Sequence, residues 1–229
     1  MPTAWVSLPP VTDATMGTEP RLKPRLRGVS HQYAFFVALA AGAALVAAAR
    51  GAQATVAVGV YALSLCAMFG ASALYHRVDW PPRTRRWMRR LDHSMIFVLI
   101  AGTYTPFMAV VLGGDFGLTL LFVVWGGALA GVVLTLVWPD APRWLVVSVC
   151  IGLGWIAVVA LPEVVERVGA TAVVLLGAGG LLYTVGAVVY AVRRPDPAPT
   201  VFGYHEIFHV FVIAAALAHF VAVGLYGLG

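Results

Sequence analysis

At 229 residues, 61% hydrophobic and only 11% charged, with a mean hydropathy of +0.88, the chain carries more apolar surface than a water-soluble domain of this length can bury. A spanning helix needs roughly 20 residues, so the length admits about seven spans and leaves no second globular domain. The net charge of +5 does not indicate a nucleic-acid partner, because the arginines sit beside the apolar runs, where they set membrane orientation.

In chain order, residues 1–30 are polar and Pro-rich, with no apolar run near the start that would read as a cleaved signal peptide; a disordered cytoplasmic tail is expected. A seven-helix transmembrane domain is expected over 31–229, an all-α polytopic bundle. Its spans are read as 31–49, 54–77, 90–112, 118–138, 144–161, 170–192 and 201–226. VDWPPRTRRWMRR, between the second and third, reads as a basic loop with Trp80 and Trp87 as interfacial anchors. PEVVERVG after the fifth and RRPDPAPT after the sixth read as polar connections. Cys66 and Cys150 lie in apolar runs and read as small core residues, not as a disulfide framework. Two glycine groups, Gly126, Gly127 and Gly131, and Gly177, Gly179 and Gly180, permit close helix packing.

Seven spans put the termini on opposite sides of the membrane. Of the fifteen lysines and arginines, all but Arg50 and Arg167 fall on the N-terminal side. The positive-inside bias predicts a cytoplasmic N-terminus and an outer C-terminus.

This topology brings scarce polar groups to one depth. His76 closes the second span, Asp92 and His93 open the third, and His205 and His209 open the seventh, all on the cytoplasmic side. His205 and His209 are four residues apart, one turn along one helix face, so both imidazoles can reach a single ion. Polar groups inside an apolar span are costly and point to function. Imidazole nitrogen suits zinc, and His76, His205 and His209 would leave the fourth position to a water molecule that the ion acidifies. Asp92 would act as a base towards that water, orient a ligand, or cap the third helix. Ser72, one turn before His76, could steady the water or polarise a carbonyl. Glu206 points about 100° away from His205 on the helix, so it is an uncertain neighbour. His31 and His93 read as hydrated interfacial residues, and His219 as a packing or relay histidine.

These residues resemble the hemolysin III branch of the progestin and adipoQ receptor (PAQR) family, related to adiponectin receptors and alkaline ceramidases. The resemblance rests on the Ser-x-x-x-His element Ser72 to His76, on LDHSMIFVLIAGTYTP from Leu91 to Pro106, and on the His205 and His209 pair. It covers nearly everything from Arg27 onward. It implies a seven-helix bundle in a bacterial cell membrane, with zinc held by His76, His205 and His209 and with Ser72 and Asp92 around the water.

Three functions compete. The first is a zinc-dependent hydrolase of a lipid amide or ester, ceramidase-like, with a membrane lipid or acyl substrate. The second is a non-enzymatic sensor, homeostasis or cytolytic protein with structural zinc. The third is an intramembrane metalloprotease, since HEIFH fits the His-Glu-x-x-His pattern. That reading also needs a distal aspartate ligand, and Asp115 lies on the opposite side. The outer loops are too short to bind a protein hormone.

Overall fold

The computed structural model describes residues 23–229. The expected disordered tail therefore lies, over residues 1–22, outside the described residues. The helices are α1 (Val29–Ala48), α2 (Gly51–Arg77), α3 (Pro82–Pro106), α4 (Gly114–Val137), α5 (Arg143–Trp155), α6 (Leu161–Val168), α7 (Ala170–Val192) and α8 (Tyr204–Tyr226). A π-helical turn, Phe107–Leu112, extends α3, and a 3₁₀ turn, Ile156–Ala160, joins α5 to α6. Among the described residues, these make seven helical rods long and apolar enough to cross a membrane. The chain is an all-α, multi-pass membrane bundle.

Neighbours in sequence pack against one another, α5 packs on α7, and α8 returns to α1 to close the ring. Lipid offers the backbone no hydrogen bonds, so each span satisfies its own. Outward positions are apolar and exposed, as at Phe122 and Val137 (77% and 78% exposed). Inward positions mix large apolar side chains, such as Phe97 and Phe107, with small and hydroxylated ones. A side chain on Gly131 would collide with Phe97, and one on Gly179 with His219, so these glycines let helices approach closely; Gly126, Gly177 and Gly180 face open space. Ser94 and Thr135 hydrogen bond at 2.7 Å between α3 and α4.

Two spans are longer than the sequence suggests. The basic stretch after Trp80 is not a loop beyond Pro82: residues 82–90 are the first turns of α3. Pro82 sits in the first helical turn, where its missing N–H costs nothing. The arginines that lower the hydropathy there are good helix formers, and Arg83, Arg85 and Arg86 are exposed to water. Likewise PEVVERVG is helical as α6, with Glu163 and Arg167 paired at 2.8 Å one turn apart. The break before it is satisfied by Tyr104 of α3. Its hydroxyl donates to the Gly154 carbonyl at 2.6 Å and accepts from the Ala157 N–H at 2.6 Å.

The loops sort into two ends. At one, Arg25 and Leu26 donate backbone hydrogen bonds to Thr200 and Val201, Lys23 pairs with Asp79, and Arg89 pairs with Asp140. At the other, Arg50 meets Leu228, Gln53 bonds to Ala109, and Arg167 to Val111. The candidate ligands lie towards the first end, the arginine-rich one.

Candidate metal centre

α2 delivers His76 from its last turn, and α8 delivers His205 and His209 from its first two turns. The three rings converge, with one ligand atom from each lying within 4.8 Å of the others. His76 Nε2 and His205 Nε2 are 3.1 Å apart. Two nitrogens sharing a tetrahedral zinc at about 2.0–2.1 Å sit about 3.3 Å apart, so the donor set fits. His209 is 2% exposed and its Nδ1 has no hydrogen-bond partner. His205 is the most accessible of the three. This buried three-histidine group can hold a metal ion.

Asp92 is not a helix cap. α3 begins ten residues earlier, so Asp92 stands well inside the helix, buried at 9% exposure. Its Oδ2 is 3.8 Å from His76 Nε2, the same nitrogen that faces His205. A carboxylate that merely oriented His76 would sit behind the ring, at Nδ1. Asp92 lies instead on the Nε2 side of His76, the side that faces His205.

Ser72 lies beside the site but is engaged: its hydroxyl and His31 Nδ1 hydrogen bond at 2.8 Å. His31 is the residue that sequence reasoning missed. It is not hydrated but 2% exposed, and its ring stacks on His209. The signal was available, since His31 opens α1 at the same end of the bundle as His205 opens α8. His93 is partly buried and lines the same cavity, also short of the hydration expected of it. His219 is remote from the three ligands; its Nε2 donates to the Leu176 carbonyl at 3.1 Å, a packing role.

Glu206 has a structural role. One oxygen accepts the Gly203 N–H at 2.8 Å and caps α8. The other pairs with Arg27 at 2.5 Å, in a contact where Glu206 is 2% exposed. With both oxygens engaged, Glu206 is not a free base. Arg27 and Gly28 thereby strap the start of the described chain over the site. The Gly28 backbone lies so close to His76 that a Cβ there would come within 2.5 Å of the His76 Cβ.

A cavity of about 430 Å³ opens from the histidines and is bounded by α3, α5, α7 and α8. Apolar side chains such as Leu99, Val146, Ile151 and Val212 line most of it, and it reaches His219. From His205 to His219 is about 21 Å of helical rise, the length scale of an acyl chain.

The sequence also matches known proteins. The profile of the family described as Haemolysin-III related matches residues 20–220. Hemolysin-3 of Bacillus cereus is 35% identical over 179 residues, covering 77% of this chain and 78% of that protein. The Hemolysin-3 homolog of Bacillus subtilis (strain 168) is 32% identical, over 73% of this chain and 75% of that protein. The human monocyte to macrophage differentiation factor is 23% identical, over 73% of this chain and 68% of its own length. With seven membrane-crossing helices, a buried three-histidine group and a family match over most of its length, this chain belongs to the hemolysin III family, as a multi-pass protein of the cell membrane.

Proposed function

We propose that the chain is a zinc-dependent hydrolase of a lipid amide or ester, with its site near the cytoplasmic face of the membrane. The observation that carries the reading is the placement of Asp92 beside three convergent imidazoles at the head of a long apolar cavity. His76, His205 and His209 would hold the ion. Bound zinc supplies Lewis acidity, which polarises a carbonyl and acidifies a water molecule. The cavity takes the acyl chain and excludes bulk water from the carbonyl end. Asp92 accepts a proton from the attacking water as oxygen bonds to the carbonyl carbon. It returns that proton to the departing amine or alcohol as the C–N or C–O bond breaks. The cytoplasmic placement rests on the arginine-rich end of the bundle, which the positive-inside bias assigns to the cytoplasm.

The test is hydrolysis by purified, zinc-loaded protein across ceramides, lysolipids and acyl amides. Turnover of one class supports the reading, and none across the panel overturns it. The name hemolysin carried by the bacterial relatives favours a second reading, a cytolytic or sensing protein in which the metal is structural. Leakage of liposomes on adding purified protein, without lipid hydrolysis, would support that one.

A further inference from the structure

We infer that the cavity takes an anionic phospholipid, with its phosphate held by Arg90 and Arg143 and its acyl chain in the apolar part of the cavity. The inference deepens the lipid-hydrolase reading by naming a substrate class. It rests on that reading for turnover, but not for binding.

Four arginines line the cavity: Arg27, Arg89, Arg90 and Arg143. Two are already neutralised. Arg27 pairs with Glu206, and Arg89 pairs with Asp140 at 3.2 Å while also donating to the Pro139 carbonyl. Arg90 and Arg143 have no carboxylate partner among the described residues. Each lies over an aromatic ring instead, Arg90 on Trp87 at 4.6 Å and Arg143 on Tyr190 at 5.4 Å. Each also has a buried nitrogen without an acceptor, Nε of Arg90 and Nη1 of Arg143. A guanidinium stays charged at any working pH, and a buried N–H without an acceptor is costly. Two such groups lining one cavity call for an anion, and the planar fork of arginine matches phosphate oxygens in pairs.

The position narrows the anion further. Arg90 also borders an outer groove with Arg83, Arg86 and Trp87, at the level where an indole ring sits among lipid headgroups. The rest of the cavity, between α3, α5, α7 and α8, is lined mostly by apolar side chains. Free phosphate would satisfy the arginines and leave the apolar part empty. A neutral lipid would fill the apolar part and leave the arginines unpaired. An anionic phospholipid does both.

The experiment measures binding to zinc-loaded, full-length protein in neutral detergent by native mass spectrometry. The probes are phosphatidylglycerol, diacylglycerol, glycerophosphate and inorganic phosphate. Phosphatidylglycerol is expected to bind at least about tenfold tighter than any of the other three. Arg90→Gln with Arg143→Gln should remove that preference, while Arg85→Gln with Arg194→Gln, the same charge change at exposed positions outside the cavity, should keep it. Equal binding of phosphatidylglycerol and diacylglycerol overturns the proposal, and so does inorganic phosphate binding as tightly as the lipid. Those comparisons need no variant, so a double variant that fails to fold leaves the test intact. Because no turnover is read, a failure of the hydrolase reading stays distinguishable from a failure of this one.

Discussion

The imidazole of His31 lies flat on that of His209, with 3.7 Å between ring centroids and 8° between planes. His31 reaches Ser72 with its Nδ1 at 2.8 Å. α1 thus braces a ligand of α8 and a hydroxyl of α2 at once. Residues that orient metal ligands commonly contribute 10–100-fold to affinity. His31→Ala should weaken zinc binding by about that factor, read by competition with a chelator. His31→Phe keeps the stacked ring and should recover most of the loss; equal loss in both would shift the weight to the Ser72 hydrogen bond.

Asp92 of α3 lies 3.8 Å from His76 Nε2. Asp92→Asn keeps the shape and removes the base. Zinc content should be unchanged and lipid turnover should fall by about 10² or more. Zinc loss in this variant would make Asp92 a ligand or a support rather than a base.

Buried Glu206 and partly buried Arg27 pair across 179 residues of sequence. Removing Arg27 leaves the Glu206 carboxylate buried and unpaired, at a cost of up to about 3–5 kcal/mol. Arg27→Ala should therefore lower the thermal midpoint far more than Glu206→Gln, whose amide oxygen can still cap α8. Hydrolysis should survive Glu206→Gln. Its loss with zinc retained would revive the metalloprotease reading of HEIFH.

Gly28 and Gly51 both have positive φ, at +77° and +79°, but only Gly28 has a neighbour in the way, at His76. Alanine at either position should cost about 1 kcal/mol of backbone strain. Only Gly28→Ala should also weaken zinc binding, since its methyl group would displace His76. Thermal midpoints and chelator competition on the two variants separate strain from the ligand effect.

The seven spans were legible because lipid imposes long apolar runs, and those runs set the depth of His76, His205 and His209. The start of α3 was not. Hydropathy treats Arg83 to Arg90 as loop, whereas a helix end can carry its arginines out to water. That error moved Asp92 to a helix start and gave it a capping role it does not have. His31 was misjudged although the depth argument applied to it equally, because a lone histidine at a span end carries no local pattern. Stacking on His209 is a tertiary fact. So is the Arg27–Glu206 pair, whose members come from opposite ends of the chain.

Metal analysis of protein purified without chelators or added metal tests the central claim most directly. The account predicts about one zinc per chain in the wild type, lost in His76→Ala and His209→Ala and kept in His219→Ala, whose side chain hydrogen bonds to Leu176 away from the three ligands. A folded wild-type protein that binds no metal, or zinc that persists in both ligand variants, would contradict it.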